Sequence, residues 1–135
     1  MTRPKFRQEV IDDTLRKLHT AVVGIKASVV VNRDGLLVAS FPPGDDDDPL
    51  ANPTSSPQVA AMSATLIGLA ERTLGRLAQG DLQRLLMEGE EGVMVVFPAG
   101  SHASLAVLVE KDARLSHVLF ASKKAAAEIA DVLGY

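Results

Sequence analysis

Ala27-Ser28-Val29-Val30-Val31-Asn32-Arg33-Asp34-Gly35-Leu36-Leu37-Val38-Ala39-Ser40 has the outline of a β-hairpin. Val29, Val30 and Val31 are branched at Cβ, stiff at χ1 and suited to a pleated backbone. Asp34-Gly35 turns the chain, because Gly accepts the positive φ that such a turn requires. The second apolar run, Leu36 to Phe41, stops at Pro42-Pro43-Gly44. The hairpin is apolar on both faces over much of its length. A strand of that kind needs cover on both sides, so the rest of the chain has to supply two layers around it.

Candidate covers lie on either side of the hairpin. Phe6 to Val22 carries Ile11, Leu15, Leu18 and Val22 at helical spacing, with Phe6 and Val10 extending the stripe. Its charged residues face away, His19 reads as a surface residue, and Gly24 ends the helix as a glycine of the C-cap region. A second helix opens with Ser56 as N-cap and Pro57 at the first helical position, and runs to about Gln79 before Gly80. Val59, Met62, Leu66, Leu69, Thr73 and Leu77 form its stripe, and Ala60, Ile67, Ala70 and Leu74 widen it beyond what one sheet face needs. On the far side Ala61, Gly68 and Gly75 recur every seven residues, with Ala64 beside them. Each interior Gly costs about 1 kcal/mol relative to Ala, and close approach of a second helix would offset that. Glu71, Arg72 and Arg76 would rim such a contact and meet a partner.

Beyond Gly80, Asp81 to Glu88 reads as a strand of mixed polarity near a sheet edge, and Gly89-Glu90-Glu91-Gly92 as a turn. Val93 to Phe97 is a strand ended by Pro98. Ser104 to Val109, apolar on both faces, is a central one. Leu115, Val118, Ala125, Ile129 and Val132 mark a last helix with Lys123 and Lys124 on its outer face. The order α-β-β-α-β-β-β-α, with consecutive hairpins, implies an α/β (α+β) three-layer sandwich. Its sheet is five-stranded and mostly antiparallel, with two helices on one face and one on the other. The whole of 1–135 reads as a single domain. Residues 42–55, rich in Pro and carrying Asp45-Asp46-Asp47-Asp48, read as an exposed, mobile, solvated loop. The four Asp lack the alternating spacing and the Gly of a calcium-binding loop.

Bulk composition and the absence of motifs narrow the function classes. A net charge of -3 argues against non-specific nucleic-acid binding, which needs clustered Lys and Arg. The chain has no Cys, hence no thiolate chemistry and no disulfide frame. No apolar run reaches membrane-span length, and no apolar leader opens the sequence, so a cytoplasmic location is expected. There is no P-loop and no dinucleotide fingerprint. His19, His102 and His117 lie apart without ligand spacing, so no metal site is expected. His102 beside Ser101 and Ser104 falls at a hairpin tip with no nucleophile elbow. No catalytic, metal or cofactor residue is therefore assigned. The residues describe a protein that binds another protein rather than one that performs chemistry.

Taken together, the helix ending in Val23-Gly24-Ile25, the Ser28–Ser40 hairpin, the Ala-rich second helix, Gly80-Asp81-Leu82, Glu88-Gly89 and Ser104-Leu105-Ala106-Val107-Leu108 resemble the roadblock/dynein-light-chain superfamily. The resemblance covers nearly the whole chain. It implies a homodimer or heterodimer in which the second helices pack side by side and the third strands pair, with the homodimer expected here. Here those contacts would fall on Ala61, Ala64, Gly68, Gly75, Leu82, Arg84 and Leu86. It further implies a non-catalytic partner of a small Ras-like GTPase of the MglB type, acting on its nucleotide cycle or its location by reshaping switch loops. The acidic 42–55 loop departs from that pattern. The alternatives are a motor or signalling scaffold without GTPase contact and a profilin- or PAS-like small-ligand sensor, although the central strands offer only aliphatic side chains to a ligand.

Overall fold

The computed structural model describes residues 6–43, 52, 54 and 56–134. In chain order the elements are α1 (Arg7–Ala21), β1 (Ile25–Asn32), β2 (Leu37–Phe41), α2 (Pro57–Arg76), β3 (Leu85–Glu88), β4 (Gly92–Pro98), β5 (Ala103–Glu110) and α3 (Leu115–Leu133). The five strands form one sheet in the order β2-β1-β5-β4-β3, with every neighbouring pair antiparallel. The three-layer sandwich with its two-and-one distribution of helices is thus what the chain adopts.

Alternation along the central strands explains the layers. Val30, Val95, Phe97, Leu105 and Val107 are buried on one face with Ile11, Leu15 and Leu18 of α1 and with Val118, Ala125 and Ile129 of α3. Val29, Val31, Val96 and Ala106 point the other way and meet Ala60 and Ile67 of α2. Because successive side chains point to opposite faces, an unbroken buried run such as Ala27 to Val31 must feed two cores. β1 lies between β2 and β5, as its double-sided apolarity requires.

Local chemistry sets several boundaries differently from the sequence reading. Phe6 is the N-cap residue of α1 and is exposed, so it does not extend the buried stripe. α2 begins as expected, with Ser56 Oγ accepting from the Val59 N–H at 3.0 Å. It ends at Arg76, short of Gln79, and Ala78 just beyond has a φ of +54°. The third strand spans only Leu85–Glu88. The C-cap residue of α1 is Val22, and Gly24, two residues on, stands just before β1 with φ +104°. A Cβ there would come within 2.4 Å of Ala113 Cβ. The position is therefore closed to other residues by backbone and by contact together.

His19 also departs from expectation. It is half-buried under the sheet, its Nε2 2.9 Å from the Oγ of fully buried Ser28 and its ring centroid 4.5 Å from that of Phe41. Burial holds its pKa below the ordinary value. The acidic run of residues 45–48 lies outside the described residues. Asn52 and Thr54, assigned to the same exposed loop, are instead buried. Asn52 Nδ2 donates to the Pro42 carbonyl at 2.7 Å, and its Oδ1 accepts from the Thr54 N–H at 3.0 Å. These short polar side chains supply partners that a buried loop backbone needs.

Two predictions follow the packing. Gly24→Ala should lower stability by about 1–3 kcal/mol, the usual cost of an enforced unfavourable backbone conformation, measured as a shift in denaturant midpoint. An unchanged midpoint would show that the β5–α3 connector at Ala113 moves aside freely. For His19 the sign follows from a folded pKa below the unfolded one. The unfolded chain takes up a proton as pH falls through 6.5 while the folded chain does not. Stability should therefore decline as pH falls through about 6.5. That decline should be smaller in His19→Gln, and equal slopes in the two proteins would remove His19 from the account.

Candidate interaction surface on helix α2 and strand β3

α2 is the only described helix on its face of the sheet, and it buries just Ala60, Ser63 and Ile67. At about 100° of rotation per residue, those three point one way and Ala61, Thr65, Gly68, Leu69 and Arg72 the other. Met62 is 61% exposed and Leu69 53%, with Leu77 exposed beyond the helix end. Such a stretch of large apolar side chains in water, on a helix that has already contributed a core face, is the mark of a docking surface.

The two flanks of α2 differ. Toward β3 lies an apolar groove of about 410 Å³ lined by Leu66, Leu69, Ala70, Thr73, Leu82 and Leu85 among others, with Arg84 at its rim. Toward the β1–β2 turn, α2 is tied to its own chain. Arg33 pairs with Glu71, one guanidinium nitrogen reaching Oε2 at 3.3 Å and a second hydrogen bond joining Nη1 to Oε1. Gly35, with φ +86°, lies so close to α2 that an added Cβ would be 3.0 Å from Ala61 Cα. The turn that begins the fold thus also seats the helix.

The residues singled out from the sequence fall on this surface in different ways. Ala61 faces solvent while its backbone abuts Gly35, and Ala64 is half-buried on the same flank. Gly68 and Gly75 have open space where a Cβ would be, with no atom within 4 Å. The small seam therefore has no occupant among the described residues of this chain. Leu82 lines the groove, and Arg84 is exposed beside it. Leu86 points to the sheet face opposite α2, because Leu85 on the α2 side alternates with it. Leu86 joins a contact only through the strand edge. Arg72 and Arg76 are exposed, whereas Glu71 is engaged by Arg33. Sequence reasoning missed Arg33 as the partner of Glu71, since nothing in the local pattern says that the turn reaches the middle of α2.

β3 pairs with β4 on one side and, among the described residues, has no strand on the other. Its outer backbone groups form a short edge that can take another strand. β2, the opposite edge, carries a register irregularity near Val30 and Val31, and Gln8 Nε2 donates to the Val38 carbonyl at 3.1 Å. Among the described residues no group of three or more His, Asp or Glu is placed to hold a metal ion. No described helix is long and apolar enough to cross a membrane.

Comparison with known proteins places this arrangement. The model of the Roadblock/LC7 domain matches residues 11–109. An uncharacterized protein of Methanocaldococcus jannaschii is 36% identical over 120 residues, which cover 89% of this chain and 96% of that one. The fold is similar to a structure described as MglB with tetrameric arrangement, with TM-score 0.80 and 20% identity over 98% of this chain and 93% of that one. It is also similar to a Roadblock/LC7 domain from Streptomyces avermitilis, with TM-score 0.78 and 22% identity over 92% and 98% of the two chains. With its matched span, its sheet order and its single helix on one face, this chain belongs to the Roadblock/LC7 domain family.

Proposed function

We propose that this chain is a non-catalytic, homodimeric regulatory or scaffold protein that binds a small Ras-like GTPase in the cytoplasm, acting on its nucleotide cycle or its location. One observation carries the reading: α2 leaves Met62 and Leu69 uncovered above the groove that leads to the β3 edge, and the Gly68/Gly75 seam open on its other flank. A second copy related by a two-fold axis would lay its α2 over that ridge and its β3 along the edge, doubling the sheet to ten strands from five. Ala61, Ala64, Gly68, Gly75, Leu82, Arg84 and Leu86 are the proposed contacts. Arg72 and Arg76 remain at the rim as the cationic positions for a GTPase, with Glu71 held in place by Arg33. Likeness to MglB structures supports the GTPase as partner class. Since no nucleophile–base pair was found in the sequence, any effect on hydrolysis would come from ordering the switch loops of the GTPase.

The dimer contact can be tested without harm to the monomer. Gly68 has free space, and replacing an interior helix Gly gains up to about 1 kcal/mol of helix propensity. Gly68→Leu should therefore weaken dimerisation while leaving thermal stability of the monomer unchanged or raised. Leu69→Arg should reduce the sedimenting mass to that of one chain. Wild-type mass in both variants would remove α2 from the interface. For the partner, the purified protein should retain a G-domain protein loaded with GDP or a GTP analogue, and Arg72→Glu/Arg76→Glu should lose it. Retention of no GTPase in either nucleotide state by a dimeric protein would leave a scaffold without GTPase contact.

A further inference from the structure

We infer that β3 is self-complementary in one register. Paired antiparallel with the β3 of a second copy, about a two-fold axis through Leu86, it sets Arg84 of each chain against Glu88 of the other. The inference rests on the dimer proposed above and adds two things to it: the alignment of the two edges, and the residues by which the chain selects its own kind.

Alternation along β3 limits the choices. Leu85 packs on the α2 side, and Met87 lies opposite Met94, which belongs to the same core. Leu86 and Glu88 lie opposite Val95 and Val93, which face α1 and α3. A two-fold axis that keeps both α2 helices on one side of the doubled sheet makes each face continuous across the join. Directly opposed residues then come from the same face, because a slip of one residue would set every side chain against the wrong one. The axis therefore passes through a residue of β3 and not between two.

β3 has four residues and so offers four such axes. Through Leu85, Arg84 would oppose Leu86, and Glu88 would oppose Leu82. Through Met87, Leu86 would oppose Glu88, and Arg84 would oppose Glu90, which lies past the end of the strand. Through Glu88, two like charges would stand face to face. Through Leu86, that leucine meets its own copy, Leu85 meets Met87 twice, and Arg84 meets Glu88 twice. Apolar and opposite-charge neighbours across strands both stabilise a pairing, and such a contact is isologous as a two-fold requires. Arg84 and Glu88 are exposed, and neither makes an ion pair with another described residue. Arg84 stands immediately before the strand at the rim of the groove, where its long side chain can turn to the edge. Leu86, 39% exposed and directed away from α2, would be covered by its own copy. An edge carrying like charges at these two positions would be repelled by this one, so the same pairs discriminate against other partners.

The chain has no Cys, so single-cysteine variants report the register cleanly. Under mild oxidation Leu86→Cys should cross-link two chains at least about tenfold faster than Leu85→Cys or Met87→Cys, because only a residue facing itself across the axis comes within disulfide reach. In sedimentation, Arg84→Glu and Glu88→Arg should each weaken dimerisation by about tenfold. An equimolar mixture of these two variants should recover it as a mixed dimer, since each chain then supplies the charge that the other lacks. Recovery also shows that both variants fold. Faster cross-linking at position 85 or 87 in a dimeric protein would overturn the register and leave the α2 contact standing. So would charge variants that dimerise as wild type does, or a mixture that recovers nothing. A wild type with the mass of one chain at every concentration would overturn both the register and the dimer.

Discussion

Double-sided burial of the central strands is the constraint on which the molecule rests. β1, β4 and β5 are aliphatic toward both faces, and neither face can be left to water. Burying a Val or Leu side chain stabilises by about 1.5–3 kcal/mol relative to leaving it exposed, so an uncovered face would forfeit many such contributions. The chain meets this demand unequally. Two helices share one face, with Ile11, Leu15, Leu18, Val118 and Ile129 in a continuous core. One described helix serves the other face, and it meets a smaller cluster of Val29, Val31, Val96 and Ala106 through Ala60 and Ile67.

That inequality explains why α2 has the composition it has. A single helix over a sheet presents one face inward and the remainder of its surface to solvent, to the flanking groove or to another protein. Here the remainder includes Met62, Leu69 and two glycines with nothing opposite them among the described residues. The Arg33–Glu71 pair and the close seating of Ala61 on Gly35 hold this helix in place from one side. Its other side borders an open groove and a short free strand. The pair is partly exposed, so its contribution to stability is at most modest. Its geometric effect is to set the lateral position of α2 on the sheet.

The sheet's two edges are likewise unequal. At β2 the edge is interrupted by an irregular register, and the Val38 carbonyl is taken by Gln8 of α1. At β3 four residues have no strand on one side among the described residues. Sheet proteins manage their edges because unpaired backbone groups recruit other chains. Blunting one edge and leaving the other short and open confines extension of the sheet to a single direction. With the α2 ridge above it, the β3 edge is where a second copy would add strands on the proposed reading.

Most of the fold was legible because it rests on local periodicity. The valine run and Asp34-Gly35 specified a hairpin, Ser56-Pro57 specified a helix start, and alternation against three–four spacing separated strands from helices. Boundaries were less legible where no side chain stops an element, as at the C-terminal end of α2 and in residues 81–84 before β3. The family resemblance, carried by these same local signals, came with the fold. Contacts between distant segments were not readable at all. That His19 sits on Ser28, that Arg33 reaches Glu71, that Gly24 is closed off by Ala113, and that Leu86 points away from α2 all depend on how layers are stacked and strands aligned. The sequence by itself determined which elements form and that both sheet faces must be covered, since these follow from nearest-neighbour chemistry and spacing. Only the tertiary structure decided which exposed residues share a surface, because that depends on strand order and on helix rotation over the sheet, set by packing between segments far apart in the chain.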